Sequence, residues 1–283
     1  MVVADAVSRA LAEDLLPLGD LTAALVPSDA TAAVAIVSRT AGVVAGRACA
    51  VEAFRQIDPS LDVSWLVPDG GGVEPGDRVA EISGALRSIL TAERTVLNFL
   101  GHLSGVASLT RRYVDAVEAA NPATRVLDTR KTTPGLRALE KAAVRAGGGH
   151  NHRGSLSDAV LVKDNHLAGL TIGEAVARAK DLWPGRMVEV ECDHLSQVDE
   201  AVAAGATVIM LDNMSIERVA GCVAQLRADG VTTLVEVSGG IDLEAAPKLA
   251  TAGADLISVG ALTHSAPVLD LGFDLAPAPA QKG

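Results

Sequence analysis

The chain has 283 residues, 49% of them hydrophobic and 21% charged, with 24 lysines and arginines against 35 aspartates and glutamates, a formal net charge of −11. That balance is globular rather than disordered, and it excludes the broad basic surface of a general nucleic-acid or anionic-membrane binder. Aromatic residues make up only 2% of the chain, too few for a base-stacking platform, and no apolar run is long enough to span a bilayer.

Residues 5–16 read as a short amphipathic helix, followed by a GDLT turn at 19–22. AAVAIVS (32–38) and GVVAG (42–46) are strand-like, a helix follows around 47–57, and another strand lies near 62–67. DGGGVEPGDRVAEISG (69–84) is dense in Gly and Pro turn signals. A helix rich in Leu and Val is predicted from about Ser88 to Glu118, with Gly101 and Gly105 as candidate breaks. From about residue 124 the rhythm changes to short apolar strands alternating with helices. The strands are RVLD (125–128), AVLVKD (159–164), MVEVEC (187–192), TVIMLD (207–212), TLVEVSGG (233–240) and DLISVG (255–260). The helices between them span 135–146, 172–182, 196–204, 215–228 and 242–252. Continuous apolar strands in this alternation predict a parallel sheet buried on both faces, with enough units to close, or nearly close, a barrel. The three cysteines, Cys49, Cys192 and Cys222, have neither zinc nor redox spacing, and the N-terminus lacks a secretory-signal pattern, so reduced thiols in a cytoplasmic protein are expected.

Polar groups cluster at one end of the predicted strands: Asp128 to Lys131, Lys163 to His166, Glu191, Asp212, Ser238 to Gly240, and Gly260. In α/β barrels this rim carries the chemistry. Loops are polar in general, but that does not explain why unlike reactive groups recur at the same end of successive strands. Arg130, Lys131, Arg137, Lys141, Arg145, Arg153 and Lys163 concentrate positive charge, diluted only by Glu140 and Asp158. Arginine offers a planar fork to carboxylates and lysine a compact charge to phosphates, so a small ligand bearing several such groups is expected. Glu191 and Asp212 end neighbouring strands and could accept hydrogen bonds from sugar hydroxyls or hold Mg²⁺ through water. Glu189 shares the facing of Glu191 but lies deeper, where a structural ion pair is expected. The turns at 238–240 and 259–260 follow the last two strands, where barrels bind phosphate through backbone N–H groups. His102 reads as a buried or interface histidine, and His194 and Cys192 have no evident partner. His150 either assists phosphate binding or has no role, and His166 orients Lys163 or Asp164. Lys163 also leaves open a Schiff-base aldolase. A non-catalytic anion binder would not need carboxylates facing its anion.

The segment DTRKTTPGLRALEKAAVRAGGGHNHRGSLSDAVLVKDNH (128–166) closely resembles the quinolinate phosphoribosyltransferase family. The resemblance extends to ED…GDLT (13–22), AERTVLNFLGHLSG (92–105), EVE (189–191), LDN (211–213), SGGI (238–241) and VGALTHS (259–265), and so covers most of the chain. The DTRKT, GGG-x-NHR and KDNH blocks in this order are highly specific. The resemblance implies an α/β protein of the type II phosphoribosyltransferase class. An N-terminal α/β sandwich would occupy 1–105 and an incomplete parallel α/β barrel 106–265, with the tail 266–283 packing back on the first domain. It implies transfer of phosphoribosyl from phosphoribosyl pyrophosphate to quinolinate with decarboxylation, giving nicotinate mononucleotide, pyrophosphate and CO₂ in NAD biosynthesis, with Mg²⁺ as cofactor. By the same resemblance, Arg94, Thr129, Arg130, Lys131, His152, Arg153 and Lys163 surround quinolinate and the phosphates. Glu191 and Asp212 face the ribose and Mg²⁺, the metal through water. Ser238, Gly239, Gly240, Val259, Gly260 and Ala261 cradle the 5′-phosphate, with His264 nearby. Lys131, Lys163, Glu191 and Asp212 form the implied catalytic set. A homodimer is implied, its sites shared through Arg94, with a hexamer left open. Gly154-Ser155 departs from the bulkier apolar residue common after NHR in the family. A transferase-like paralogue associated with molybdate transport genes remains the nearest rival.

Overall fold

Helix α1 (Val2–Leu15) turns Ala6, Val7 and Leu11 inward at helical spacing and packs on α2 (Arg47–Ile57), where Gln56 bonds Ser8 and the Ala4 carbonyl, while Phe54 of α2 stacks on Phe273. The structure is a computed structural model and describes residues 2–275; the expectation for the tail beyond 275 lies outside the described residues. Contacts divide the chain into two units. The first gathers the residues up to Leu109, Thr133–Gly148 and the segment from Ser265; the second comprises Thr110–Thr132 and Gly149–His264.

The first unit is built on an antiparallel sheet. Strands β1 (Thr31–Ser38), β3 (Asp62–Trp65), β5 (Arg78–Ala85) and β12 (Leu271–Leu275) run in the order β12-β1-β5-β3. Strands β2 (Gly42–Val43) and β4 (Gly72–Val73) pair separately. The turn-rich stretch 69–84 thus contains β4 and most of an eight-residue inner strand, β5. Its turn signals end at Gly76 and Asp77, after which Val79, Ala80 and Ile82 are buried. Helix α3 (Leu86–Ala120) is a single helix of 35 residues, unbroken at either candidate glycine. Those glycines serve close approach. A β-carbon at Gly101 would sit 3.1 Å from the Leu269 carbonyl, and one at Gly105 would overlap the Pro267 carbonyl. The Gly101 carbonyl accepts the Leu269 N–H at 2.9 Å, and the same segment leads into β12.

Helix α4 (Arg137–Ala146) belongs to this first unit rather than to the strand–helix alternation in which its sequence position placed it. Its fully buried Glu140 bonds His102 Nε2 at 2.8 Å and accepts from the Thr133 N–H at 3.0 Å, so both carboxyl oxygens are partnered where burial would penalise them left bare.

The second unit holds a six-stranded parallel sheet. Strands β6 (Arg125–Leu127), β7 (Val160–Val162), β8 (Val188–Cys192), β9 (Val208–Asp212), β10 (Leu234–Ser238) and β11 (Leu256–Ser258) run in the order β6-β11-β10-β9-β8-β7. Helices α6 (Ile172–Leu182), α7 (Leu195–Ala203), α8 (Ile216–Ala228) and α9 (Ala245–Thr251) fill the crossovers, with short turns α5 (Asp164–Leu167) and α10 (Ala261–His264) on the rim. Among the described residues β6 and β7 do not pair, so the barrel is incomplete. Burial of Ile209, Leu211 and Ile257, each 0% exposed, is worth roughly 1.5–3 kcal/mol per side chain and makes the strand cores continuous apolar runs.

Candidate active site

Alternate residues of a strand face one side, and on this sheet that period of two delivers the site. Leu161 and Lys163, Met210 and Asp212, and Glu236 and Ser238 pair in this way along or just past their strands; Glu191 and Ser258 join them around a cavity of about 390 Å³. Thr129, Arg130 and Lys131 after β6, with His152 and Arg153, complete its wall. A second cavity of about 290 Å³ shares Thr129, Lys131, Ser238 and Ser258, and adds Gly239, Gly240, Gly260, Ala261 and His264. Tyr113, Ile241 and Asp242 also line it, and of these only Ile241, the last residue of SGGI, lies in a block the sequence singles out.

The loop bearing Arg153 is held by a buried carboxylate. Asp128, 0% exposed, accepts from Asn151 Nδ2 at 2.5 Å and from the His152 N–H at 2.9 Å. The His150 backbone bridges β6, donating to the Val126 carbonyl and accepting from the Asp128 N–H, while its ring is exposed. Asp158 accepts from the Gly154 and Ser155 N–H groups at 2.6 and 3.2 Å, which organises the Gly154-Ser155 turn and holds the Asp158 carboxyl below its usual range. Arg153 donates to the Ala159 carbonyl at 3.2 Å. Burial, and then the neighbouring charge of Arg130, lower its guanidinium from the ordinary value, with Glu189 opposing. Two arginines this close favour a dianionic guest.

His152 is committed to the protein below the cavity. Its Nδ1 accepts the Arg153 N–H at 2.8 Å, which leaves Nε2–H to donate to Glu189 at 2.9 Å. Glu236 lies 3.5 Å from the same nitrogen, and both carboxyls are 1% exposed. Burial first, then the charge of Glu189, push Glu236 up to about 8, with His152 opposing, so near neutral pH Glu236 is mostly a neutral acid. Glu236 is thus a buried site group that the strand TLVEVSGG does not advertise; the period of two linking it to Ser238 is the signal that could have found it.

Lys163 Nζ forms an ion pair with Glu191, and Asp212 accepts from Asn213 Nδ2 at 2.6 Å. His166 Nδ1 accepts the Lys163 N–H at 3.0 Å, fixing the backbone at the start of α5. Thr263 Oγ1 donates to the Lys131 carbonyl at 2.8 Å and joins α10 to the loop after β6. Val259 lines neither cavity. It is 1% exposed, and its N–H is spent on the Leu127 carbonyl at 2.9 Å. Arg94 lies in the first unit, exposed on α3, and lines neither cavity; its side chain has no hydrogen-bond or ion-pair partner among the described residues. His194 caps α7 through its backbone. Cys192 is buried and its thiol is pushed up to about 12, chiefly by burial, which makes it inert.

Two family models match the chain: quinolinate phosphoribosyl transferase, N-terminal domain, over residues 20–104, and the C-terminal domain of the same family over 106–274. A Mycobacterium leprae protein named nicotinate-nucleotide pyrophosphorylase [carboxylating] is 40% identical over 275 residues, covering 96% of each chain. A tobacco protein named quinolinate phosphoribosyltransferase [decarboxylating] 1b is 37% identical, covering 95% of this chain and 81% of the relative. Among solved structures, a nicotinate-nucleotide pyrophosphorylase from Francisella tularensis superposes with a TM-score of 0.91 at 40% identity, covering 97% of this chain and 96% of that one.

Proposed function

Since the chain belongs to the quinolinate phosphoribosyltransferase family, we propose that it transfers the phosphoribosyl group of phosphoribosyl pyrophosphate to quinolinate, releasing pyrophosphate and CO₂ and yielding nicotinate mononucleotide for NAD biosynthesis. The observation that carries this reading is the junction of two cavities. A basic pocket with Arg130 and Arg153 opens beside a glycine-lined cradle, and Lys131 lines both.

In this reading Arg130 and Arg153 bind the two quinolinate carboxylates, and Leu161 and Met210 give the pyridine ring an apolar contact. Ser238, Gly239, Gly240, Gly260 and Ala261 receive the 5′-phosphate, so that the ribose spans the two cavities. The ring nitrogen attacks C1 of the ribose, and the C1–O bond to pyrophosphate breaks with its electron pair leaving on pyrophosphate. Lys131 neutralises charge on the phosphates, while Glu191 and Asp212 stabilise positive charge developing on the sugar. The quaternised nitrogen then withdraws the electron pair of the adjacent carbon–carboxylate bond, CO₂ departs, and a proton replaces it. No covalent enzyme intermediate is required, so positioning and electrostatics dominate.

Glu191 and Asp212 are hard oxygen donors facing one cavity and suit Mg²⁺. Because Glu191 already holds Lys163 and Asp212 an amide, contact through water is the arrangement that fits. Bound there with the substrate's phosphates, the ion would supply charge neutralisation for the leaving group. The protein would act as a homodimer in the cytoplasm. Leu16, Leu18, Leu21 and Leu25 are 73%, 76%, 66% and 84% exposed, an apolar surface suited to a second copy. Asp20 accepts from Thr91 Oγ1 at 3.0 Å, tying that surface to the helical turn preceding Arg94, which would enter the partner's site. The three free, buried cysteines accord with a reducing compartment. A Schiff-base aldolase fits less well, because Lys163 is ion-paired and its side chain is 38% exposed, whereas such a lysine needs a desolvated setting.

The test is incubation of purified protein with quinolinate, phosphoribosyl pyrophosphate and Mg²⁺, measuring nicotinate mononucleotide and CO₂. Both should form in equal amounts, and nicotinate, with one carboxylate fewer, should be a poor substrate. Comparable efficiency on nicotinate would overturn the assignment.

A further inference from the structure

We propose that Asn213 is a positioning residue that holds the Asp212 carboxylate and the Ser238–Gly239–Gly240 turn in one fixed relation; the proposal rests on the reading of these two groups as ribose and phosphate contacts. Three observations converge on it. Asn213 has φ +53°, one of two non-glycine residues with positive φ among those described, the other being Ala168. Its Nδ2 donates to Asp212 Oδ2 at 2.6 Å, and its backbone N–H donates to the Ser238 carbonyl at 3.0 Å. Its side chain also lies against Gly239. A β-carbon on Gly239 would approach Asn213 Cγ to 2.6 Å and its backbone nitrogen to 2.8 Å, and would overlap Oδ1.

The geometry follows from the sheet. Asp212 and Ser238 are register partners at the ends of β9 and β10. The Asn213 N–H adds one rung to that ladder, and the left-handed turn then folds its side chain back over both loop starts. A left-handed backbone strains an ordinary side chain, and asparagine is among the few types that tolerate it. Glycine would adopt the backbone but has no amide to donate. Aspartate would tolerate the backbone but would set a second carboxylate against Asp212. Only asparagine meets both demands. Asp212 and the phosphate turn contact opposite ends of the ribose 5-phosphate, so a change in their relation should affect the sugar-phosphate substrate. Quinolinate, held directly by Arg130 and Arg153, should be unaffected.

The experiment compares wild type with Asn213→Ala, Asn213→Gly and Asn213→Asp. It reads kcat and KM for phosphoribosyl pyrophosphate, Kd for quinolinate alone by calorimetry, and Tm. All three variants should lose roughly 10–100-fold in kcat/KM for phosphoribosyl pyrophosphate, the range for removal of a group that orients a site residue. The quinolinate Kd should stay within about twofold, because its direct contacts are untouched. Asn213→Gly is the decisive variant, since it keeps the backbone conformation and removes only the amide. Wild-type kinetics in Asn213→Gly would overturn the proposal. So would an equal loss in quinolinate affinity, which would mean general loosening of the rim. A wild-type protein that forms no nicotinate mononucleotide would overturn the functional reading and this inference with it, whereas an active wild type beside an equally active glycine variant removes Asn213 alone.

Discussion

Lys131 and Arg153 reach the cavity from different supports, Lys131 from the loop after β6 and Arg153 from a loop hung on the buried Asp128. Lys131→Ala and Arg153→Ala should each lower kcat/KM by about 100-fold or more, about 3 kcal/mol, the scale of one preorganised charge-assisted contact. Circular dichroism should remain that of the folded wild type, and near wild-type kinetics in either variant would remove that residue from the site. Glu236 makes a different kind of prediction. Its native carboxyl is pushed up to about 8, against 4.5 for an ordinary glutamate, so between those values the folded state keeps a proton that the unfolded chain has released. Stability should therefore fall as pH rises through that window and level off above it. Glu236→Gln removes the titration. The unfolding free energy of the variant minus that of wild type, from urea titrations at about pH 5 and about pH 8, should increase with pH. A difference that does not change with pH would show that Glu236 titrates normally. At this scale the sequence was partly legible. Arg130, Lys131, Glu191 and Asp212 stood at readable strand ends, and Arg153 stood in a basic stretch beside a Gly-rich run. The roles of Asp128, Asn151, Glu236 and Asn213 were not readable, because each is a contact that takes shape only when separate strands and loops meet.

Helix glycines separate two physical cases that look alike in sequence. Gly105 lies inside α3 where a β-carbon would overlap the Pro267 carbonyl. Gly221 lies inside α8, exposed, and a methyl group added there would have nothing within 4 Å. Gly221→Ala should stabilise the protein by roughly 0.5–1 kcal/mol through helix propensity. Gly105→Ala should destabilise it by roughly 1–3 kcal/mol, because a backbone carbonyl cannot move aside as a side chain can. Urea or thermal unfolding of both variants checks the pair, and equal signs would mean that propensity alone governs the two sites. The parallel strands and their helices were readable to within a few residues because apolar periodicity sets them. Strand β5 was hidden by the Gly and Pro signals just before it. Helix α4 was recognised as a helix, but its membership in the first unit depends on the buried pair of Glu140 with His102, which periodicity does not report.

At the scale of the whole molecule, the exposed Arg94 predicts complementation. Arg94→Ala and Lys131→Ala should each keep about 1% of wild-type activity or less alone. If Arg94 serves the partner's site, a mixed dimer carries both lesions in one site and none in the other. Random exchange makes about half of all dimers mixed, so about a quarter of wild-type activity should return when the two variants are unfolded, mixed and refolded together. With exchange verified, activity no higher than in the separately refolded variants would rule out a shared site. The sequence by itself determined the family through its DTRKT, GGG-x-NHR and KDNH blocks, and it determined the α/β class, the parallel strands and the strand-end positions of polar groups because apolar period and strand-end polarity are local properties that a linear chain displays. The tertiary structure alone decided that α3 runs unbroken, that residues 271–275 complete the antiparallel sheet, that Val259 faces inward and that His152 is bound to Glu189. Each of these depends on which distant group fills the space beside a residue, and packing of that kind exists only once the chain has folded.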